Sequence, residues 1–191
     1  MKLPYVSGSS EGLPAEAKAV YERVRQRRGA GGFLPLDLAL LHSPNLADGW
    51  NSLLGAVRTR SSLPDDIREI CICRPALINK AWFEWNHHAP ILEAAAGFTR
   101  EMMSVVEQLN PTDQGALNDR QWAVLQYCDD MTRDIAVPDE ALKLMQQAGF
   151  TEKEVVEITI TCAAYNMVSR FLVALDVGEA NSSPPKFSSK L

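Results

Sequence analysis

The sequence lacks any dense run of Lys and Arg, and its 19 basic residues are outnumbered by 24 acidic ones, which gives a net charge of −5. A nucleic-acid partner is therefore not expected, because binding to a phosphate backbone requires a concentrated positive surface. Long hydrophobic runs are also absent. The apolar stretch 155–165 contains Glu157 and falls short of the roughly 20 residues that span a bilayer. Residues 1–14 lack the apolar segment of a secretory signal, so we expect neither a membrane span nor export.

The four cysteines form no Cys-x-x-Cys pair, and no combination of His and Cys has the spacing of a zinc site. Cys71 and Cys73 are two residues apart and would point in different directions on a helix. We therefore expect buried free thiols and no disulfide scaffold.

Strict alternation of polar and apolar residues is missing as well, whereas apolar residues recur at helical spacing along most of the chain. This pattern predicts an all-α bundle of eight or nine helices in one domain over residues 1–178. The predicted helices cover about 14–28, 34–41, 44–60, 64–79, 81–96, 99–109, 119–133, 138–148 and 152–176.

Local signals mark several helix boundaries. Thr151 and Glu154 have the spacing of a capping box at the start of the last helix. Pro75 and Pro90 fall inside predicted helices, where a proline ring removes a hydrogen bond and presses on the preceding turn. We expect kinks or breaks at both.

Two short segments of the chain repeat. Residues 96–99, Ala-Gly-Phe-Thr, recur at 148–151, each time with a glycine that is typical of a helix end. Residues 68–72 also resemble 156–160. These similarities suggest a weak internal duplication.

The C-terminal segment 179–191 is polar and contains prolines, so we predict a disordered tail. It ends in Ser189, Lys190 and Leu191, which form a peroxisomal address when they stand at a free C-terminus. The expected location is the peroxisome, reached through its import receptor. The alternative is a coincidental match in a cytoplasmic protein.

The segment 82–88, Trp-Phe-Glu-Trp-Asn-His-His, concentrates ionisable and aromatic side chains in one predicted helix. Glu84 and His88 are four residues apart, which places them on the same helix face with Cβ atoms roughly 5 to 6 Å apart. Such a pair is suited to proton transfer.

Two other interpretations of this segment remain open. A Glu four residues before a His is often a surface pair on a helix. Glu84 and His87 also have the Glu-x-x-His spacing of di-iron bundles, with Glu69 as a ligand from a facing helix. Such sites need a second Glu-x-x-His unit, which the sequence does not contain at an equivalent place, so no metal is expected.

A further pattern of residues runs from Leu40 to Ala95 and continues in the later helices. It consists of His42, Ser43, Pro44, Trp50, Arg68, Glu69, Arg74, Glu84, Trp85 and His88, followed by Glu157, Ala164, Tyr165, Asn166 and Arg170. On these residues the chain resembles the carboxymuconolactone decarboxylase family, within the AhpD-like alkylhydroperoxidase superfamily. The resemblance implies an AhpD-like helical bundle that associates into homo-oligomers.

The resemblance also indicates which branch of the superfamily applies. AhpD-type peroxidases use a Cys-x-x-Cys pair, and those two positions correspond to Ala81 and Glu84 of this sequence. Without a peroxidatic thiolate there is no nucleophile for a hydroperoxide. The sequence is therefore similar to the decarboxylase branch, and alkylhydroperoxidase activity is the less favoured alternative.

The resulting hypothesis is an acid-base enzyme without a cofactor that acts on a small organic acid or lactone, in aromatic catabolism or secondary metabolism. His88 is the expected proton donor, with Glu84 and Glu69 setting its tautomer and pKa. Residues assigned to substrate binding are two candidate cations and two aromatic walls, namely Arg74, Arg58, Trp82 and Trp85. For both indoles, packing in the core is an alternative role. The rival hypothesis is a catalytically silent helical assembly module.

Overall fold

The computed structural model describes residues 1–187, so the tripeptide Ser189, Lys190 and Leu191 lies outside the described residues and its targeting role stays a prediction. The described part of the chain contains nine α-helices and no strand, which confirms the all-α prediction. The helices are α1 (Ala15–Arg28), α2 (Pro35–Leu40), α3 (Pro44–Thr59), α4 (Asp65–Ile78), α5 (Trp82–Glu93), α6 (Arg100–Val106), α7 (Asp119–Asp134), α8 (Asp139–Gln147) and α9 (Glu152–Leu175). Two short 3₁₀ turns, Gly29–Gly31 and Val177–Glu179, follow α1 and α9.

Local chemistry sets the helix ends where the sequence indicated them. The hydroxyl of Thr151 accepts a hydrogen bond from the Glu154 backbone N–H, and the Glu154 carboxylate accepts one from the Thr151 N–H, as a capping box requires. Gly97 and Gly149 each adopt a φ of 78°, in the left-handed region that glycine tolerates at helix ends. The two helix ends are alike, although the wider internal duplication stays a prediction.

The expected breaks at Pro75 and Pro90 do not occur, because both prolines lie inside continuous helices. Each helix instead ends three residues beyond its proline, at Ile78 and Glu93. The carbonyl groups of the two prolines still accept hydrogen bonds from Asn79 and Ala94. A proline this close to a helix end removes one hydrogen bond without stopping the final turn.

Helix α4 is the centre of the bundle and packs against α5, α7 and α9. The consecutive residues from Ile70 to Cys73 are fully buried. One hydrophobic cluster joins these helices to α6 and α8, and a second joins α1, α2 and α3 to the C-terminal half of α9. The four free cysteines are all buried, which confirms that prediction.

Helix α9 contributes to both hydrophobic clusters. It has 24 residues, and an 18-residue window within it has a mean hydropathy of 1.5, which is long and apolar enough to cross a membrane. Since 44% of that window is buried inside the protein, α9 also has the properties of a core helix. Near its start, Glu157 accepts hydrogen bonds from the Ser61 hydroxyl and from the Ser62 hydroxyl and backbone N–H. This contact fixes the loop between α3 and α4.

The segment after α9 returns to the body of the protein. Residues 183–187 have no regular secondary structure, yet the Phe187 ring packs against Trp82 and Trp85 with centroid distances of 5.9 and 5.3 Å. The predicted division between a domain ending at residue 178 and a disordered tail stays a prediction.

Candidate active site

A cavity of about 140 Å³ lies between helices α1 to α3 on one side and helices α5 and α9 on the other. It combines apolar walls with several ionisable side chains. The polar residues that line it are Arg27, Arg28, Arg58, Glu84, His87, His88 and Tyr165. Both members of the helical pair predicted from sequence therefore face the same cavity.

His88 is held by a carboxylate from the central helix. Its Nδ1 lies 2.6 Å from Oε2 of Glu69. The other carboxylate oxygen of Glu69, Oε1, lies 3.4 Å from Nε of Arg68. A carboxylate oxygen only accepts, so Nδ1–H of His88 donates to Glu69. Burial lowers the pKa of His88 below its ordinary value even though Glu69 opposes the shift. In this neutral tautomer the Nε2 atom carries a lone pair, and the Tyr165 hydroxyl lies 3.4 Å from it.

Glu84 is a buried carboxyl group, with 2% of the residue exposed. The Ser169 hydroxyl oxygen lies 3.2 Å from both of its carboxyl oxygens, and no cation bonds to it within residues 1–187. Burial raises the pKa of Glu84 well above its ordinary value, because the charged form loses its hydration. The site therefore combines a carboxyl group that favours its protonated form with an imidazole that favours its neutral form, a pattern found in acid-base active sites.

The cavity also has an excess of positive charge. Arg28 is neutralised by Asp37 through two hydrogen bonds of 2.7 Å. Arg27 bonds to the neutral side chain of Asn51, and its burial lowers its pKa. Arg58 makes no hydrogen bond or ion pair with any described residue from 1 to 187. An anionic group in the cavity would compensate these two guanidinium charges.

The structure does not bring Arg74 to this cavity. Its side chain is fully buried on α4 and bonds bidentately to Asp129 at 2.7 and 2.6 Å. It also donates to the backbone carbonyls of Gln108 and Leu109, at 2.7 and 3.3 Å. These contacts join α4 to α7 and to the loop after α6, so the guanidinium is occupied by the protein itself.

Trp82 and Trp85 also lie away from the cavity. Both belong to the hydrophobic cluster around α4, where they contact Phe187. The aromatic walls of the cavity are instead Trp50 from α3 and Phe83 from α5. The core-packing role considered for the two indoles fits this arrangement better than a substrate-binding role.

Several residues of the site were not predicted from sequence as functional, namely Arg27, Phe83, Tyr165 and Ser169. Tyr165 was part of the family resemblance but had no assigned role. Ser169 lies four residues after Tyr165 on α9, the spacing that places two side chains on one helix face. The spacing of Tyr165 and Ser169 could therefore have indicated a second pair of polar side chains, on α9.

The described residues contain no group of three His, Cys, Asp or Glu side chains arranged to hold a metal ion. None of the four cysteines is among the cavity-lining residues. Burial also raises the pKa of Cys73 well above its ordinary value, which disfavours a reactive thiolate.

No protein-family model matches the chain, and no curated protein matches it in sequence. Solved structures match its fold. A peroxidase-related protein from Ralstonia eutropha JMP134, described as an alkylhydroperoxidase AhpD core, aligns with a TM-score of 0.74 at 17% identity, over 96% of this chain and 97% of that one. A peroxidase-related protein from Silicibacter sp. TM1040 aligns with a TM-score of 0.72 at 17% identity, over 93% of this chain and 89% of that one.

The debrominase Bmp8 is a third similar structure, with a TM-score of 0.68 at 15% identity over 88% of each chain. A variant of Bmp8 with a cysteine replaced by alanine is solved in complex with 2,3,4-tribromopyrrole. At these identities the similarity establishes the fold and nothing finer. The chain has the AhpD-like helical fold, as the family resemblance implied.

Proposed function

We propose that the protein is an acid-base enzyme that works without a cofactor on a small organic acid or lactone, in the manner of carboxymuconolactone decarboxylases. The observation that carries the proposal is the convergence of Glu84 and the Glu69-supported His88 on one cavity that also contains Arg58, a cation with no bonding partner among residues 1–187. An anionic substrate would bind to Arg58, with its reacting carbon beside the α5 pair. No observation on the cysteines favours the peroxidase alternative.

The size of the cavity indicates the size of the group that it can hold. Its volume of about 140 Å³ is close to that of the engineered apolar cavity of roughly 150 Å³ that binds benzene. We therefore propose a substrate with a single small ring or a short chain. That Bmp8 is solved with a bromopyrrole is consistent with small cyclic ligands in this fold.

The proposed reaction is decarboxylation followed by proton transfer to carbon. The bond to the carboxylate breaks, CO₂ leaves, and the electron pair moves into a conjugated carbonyl group of the substrate. A proton from the Glu84 and His88 pair is then delivered to the carbanion. Apolar side chains such as Trp50, Phe83 and Leu54 line the cavity and would shield the carbanion from water once substrate fills it.

A panel of small carboxylic acids, scored for CO₂ release, tests this function. Glu84→Gln and His88→Ala should each lower turnover about 10² to 10⁴-fold, the usual contribution of a positioned acid or base. Glu93→Gln is the matched control, because Glu93 is an exposed residue of the same helix, and it should retain activity. Unchanged turnover in both cavity variants would remove these residues from the mechanism.

Arg58 is tested with the same panel. Arg58→Met should raise KM for acids much more than it lowers kcat, because it removes a charge that binds substrate and transition state alike. Arg60→Met, two residues away and exposed, is its control. If the wild-type protein releases CO₂ from none of the acids, the silent assembly module becomes the better hypothesis.

We also propose that copies of the chain associate, as the family resemblance implies. Val156 and Ile160 on α9 are 66% and 45% exposed, which is consistent with an apolar surface that a second copy covers. Light scattering on the purified protein tests this, and a monomer at working concentration would contradict it.

Peroxisomal import is a separate proposal. Fluorescence localisation of the chain with and without Ser189, Lys190 and Leu191 checks it.

A further inference from the structure

The hydrogen bonds of Ser169 define where protons lie in the site. Its hydroxyl oxygen is 2.8 Å from the backbone carbonyl oxygen of Tyr165, one turn earlier on α9, and 3.2 Å from each carboxyl oxygen of Glu84. Within residues 1–187, Ser169 provides the hydrogen-bonding contact of the Glu84 carboxyl group. The donors and acceptors of this small network are therefore few enough to assign its hydrogens from chemistry.

A serine hydroxyl has one hydrogen and two lone pairs. The Tyr165 carbonyl can only accept, and it is the closer partner, so the hydrogen of Ser169 points to it. Thr161 on the same helix makes the equivalent bond to the Glu157 carbonyl at 2.6 Å. Once its hydrogen is used in this way, Ser169 presents only lone pairs to Glu84. A hydrogen bond between the two then requires a hydrogen on Glu84.

We infer that Ser169 is a positioning residue that accepts a hydrogen bond from protonated Glu84, and that Glu84 rather than His88 delivers the proton to the substrate. The first half of this inference concerns the unliganded protein alone, whereas the second rests on the proposed function. His88 has its Nδ1–H committed to Glu69 and presents an unprotonated Nε2, so it is the base of the pair.

The surroundings of Glu84 agree with this assignment. Burial disfavours the carboxylate, which raises the pKa of Glu84 well above its ordinary value, although a hydrogen bond donated by Ser169 to the carboxylate would lower it. The titratable or charged groups of the neighbouring helices are Arg27 and Arg28 from α1, Arg58 from α3, Glu69 and Cys73 from α4, His87 and His88 from α5, and Cys162 and Tyr165 from α9.

The proton balance of the reaction follows. The carbon–carbon bond to the substrate carboxylate breaks and CO₂ departs, leaving an enolate. Its electron pair forms a new C–H bond with the Glu84 proton. Glu84 is left as a carboxylate, which is energetically unfavourable in this buried position, and it recovers a proton from water before the next turnover.

Infrared difference spectroscopy of the full chain without ligand tests the first half of the inference. Wild type minus Glu84→Gln at neutral pH should show the carbonyl stretching band of a protonated carboxylic acid. Ser169→Ala should keep this band but move it to higher frequency, because the acid loses its hydrogen-bond partner. Ser169→Thr, which keeps a hydroxyl, should restore the original frequency. Thr161→Val is the control and should leave the band in place.

Two spectroscopic outcomes would overturn the inference: no protonated-acid band in the wild-type difference spectrum, or a band that Ser169→Ala does not move. Neither outcome depends on turnover, so they remain distinct from failure of the proposed function.

Kinetics on any acid that the enzyme turns over tests the second half. Ser169→Ala should lower kcat about 10-fold with little change in KM, and the loss of rate at high pH should begin at lower pH, because the neutral acid has lost a stabilising hydrogen bond. Ser169→Thr should recover both. An unchanged pH profile in Ser169→Ala would assign proton delivery to another group.

Discussion

Arg74 and Arg58 both lie within the helical bundle, yet their environments differ completely. Arg74 uses its donors on Asp129 and on backbone carbonyls, so the protein itself compensates its charge. Arg58 lines the cavity and has no such partner among residues 1–187. A guanidinium group whose donors are all used joins helices together, whereas one without a partner beside a cavity is available to a ligand. The bonds that each guanidinium makes, rather than residue type, separate the structural Arg74 from Arg58, the proposed binding residue.

The largest expected effect concerns Arg74. Arg74→Met should lower the free energy of unfolding by about 3 to 5 kcal/mol, because it leaves the Val106 and Gln108 carbonyls without this donor and leaves Asp129 with only a 4.0 Å ion pair to Arg133. Arg58→Met, the matched variant at the cavity, should change it by less than about 1 kcal/mol. Chemical denaturation of both variants measures the difference. Equal losses would mean that the two arginines have the same structural role.

The next effect concerns the cavity wall. Gly178 has a φ of 74°, and a Cβ atom at this position would overlap the ring of Phe83, which lines the cavity. Gly178→Ala should therefore cost about 1 to 3 kcal/mol and displace Phe83.

Gly97→Ala is a suitable control for Gly178→Ala. Gly97 has a similar φ of 78°, but a Cβ atom added there would meet nothing within 4 Å, so this variant carries backbone strain alone. Thermal unfolding of both variants, together with tryptophan fluorescence, separates strain from steric overlap. If the two lose the same stability, Phe83 does not depend on the glycine.

The smallest effect is the pH dependence of stability that Glu84 causes. The pKa of Glu84 is raised in the folded state, so the unfolded chain releases its proton first as the pH rises. Stability is then lost progressively between the unfolded and the folded pKa. Glu84→Gln removes this loss, so its melting temperature should match wild type near pH 4 and exceed it increasingly at higher pH. Glu93→Gln should show no such widening, and a constant difference would mean that Glu84 is ionised when buried.

The sequence predicted the helices well because their determinants are local. Apolar spacing, the Thr151 capping box and the glycine ends each act within a few residues, and the predicted helix boundaries agree with the structure within about three residues. The prolines were misjudged because the cost of a proline depends on how near the helix end lies. Arg74 was misjudged because its partner Asp129 is 55 positions away in the chain, and no local pattern reports that contact.

The side chains of α5 could have been sorted further from the sequence. At 3.6 residues per turn, Trp82 is about 160° from Glu84 and about 120° from His88 around the helix, whereas Trp85 is only about 60° from His88. The helical wheel therefore separates Trp82 from the acid-base pair but does not separate Trp85. Only the packing of α5 in the bundle, where Trp85 joins the hydrophobic cluster around α4, places Trp85 away from the cavity.

Helix α9 sets the distance and the rotation between two distant parts of the protein. Glu157 near one end fixes the loop before α4, and Ser169, about 18 Å further along, contacts Glu84. Thr161 and Tyr165 fill the intervening positions at intervals of four residues. Insertion of one residue between them would turn the two ends by roughly 100° relative to each other. The number of residues between Glu157 and Ser169 is therefore fixed by the two contacts, because an insertion changes both the rotation and the distance between them.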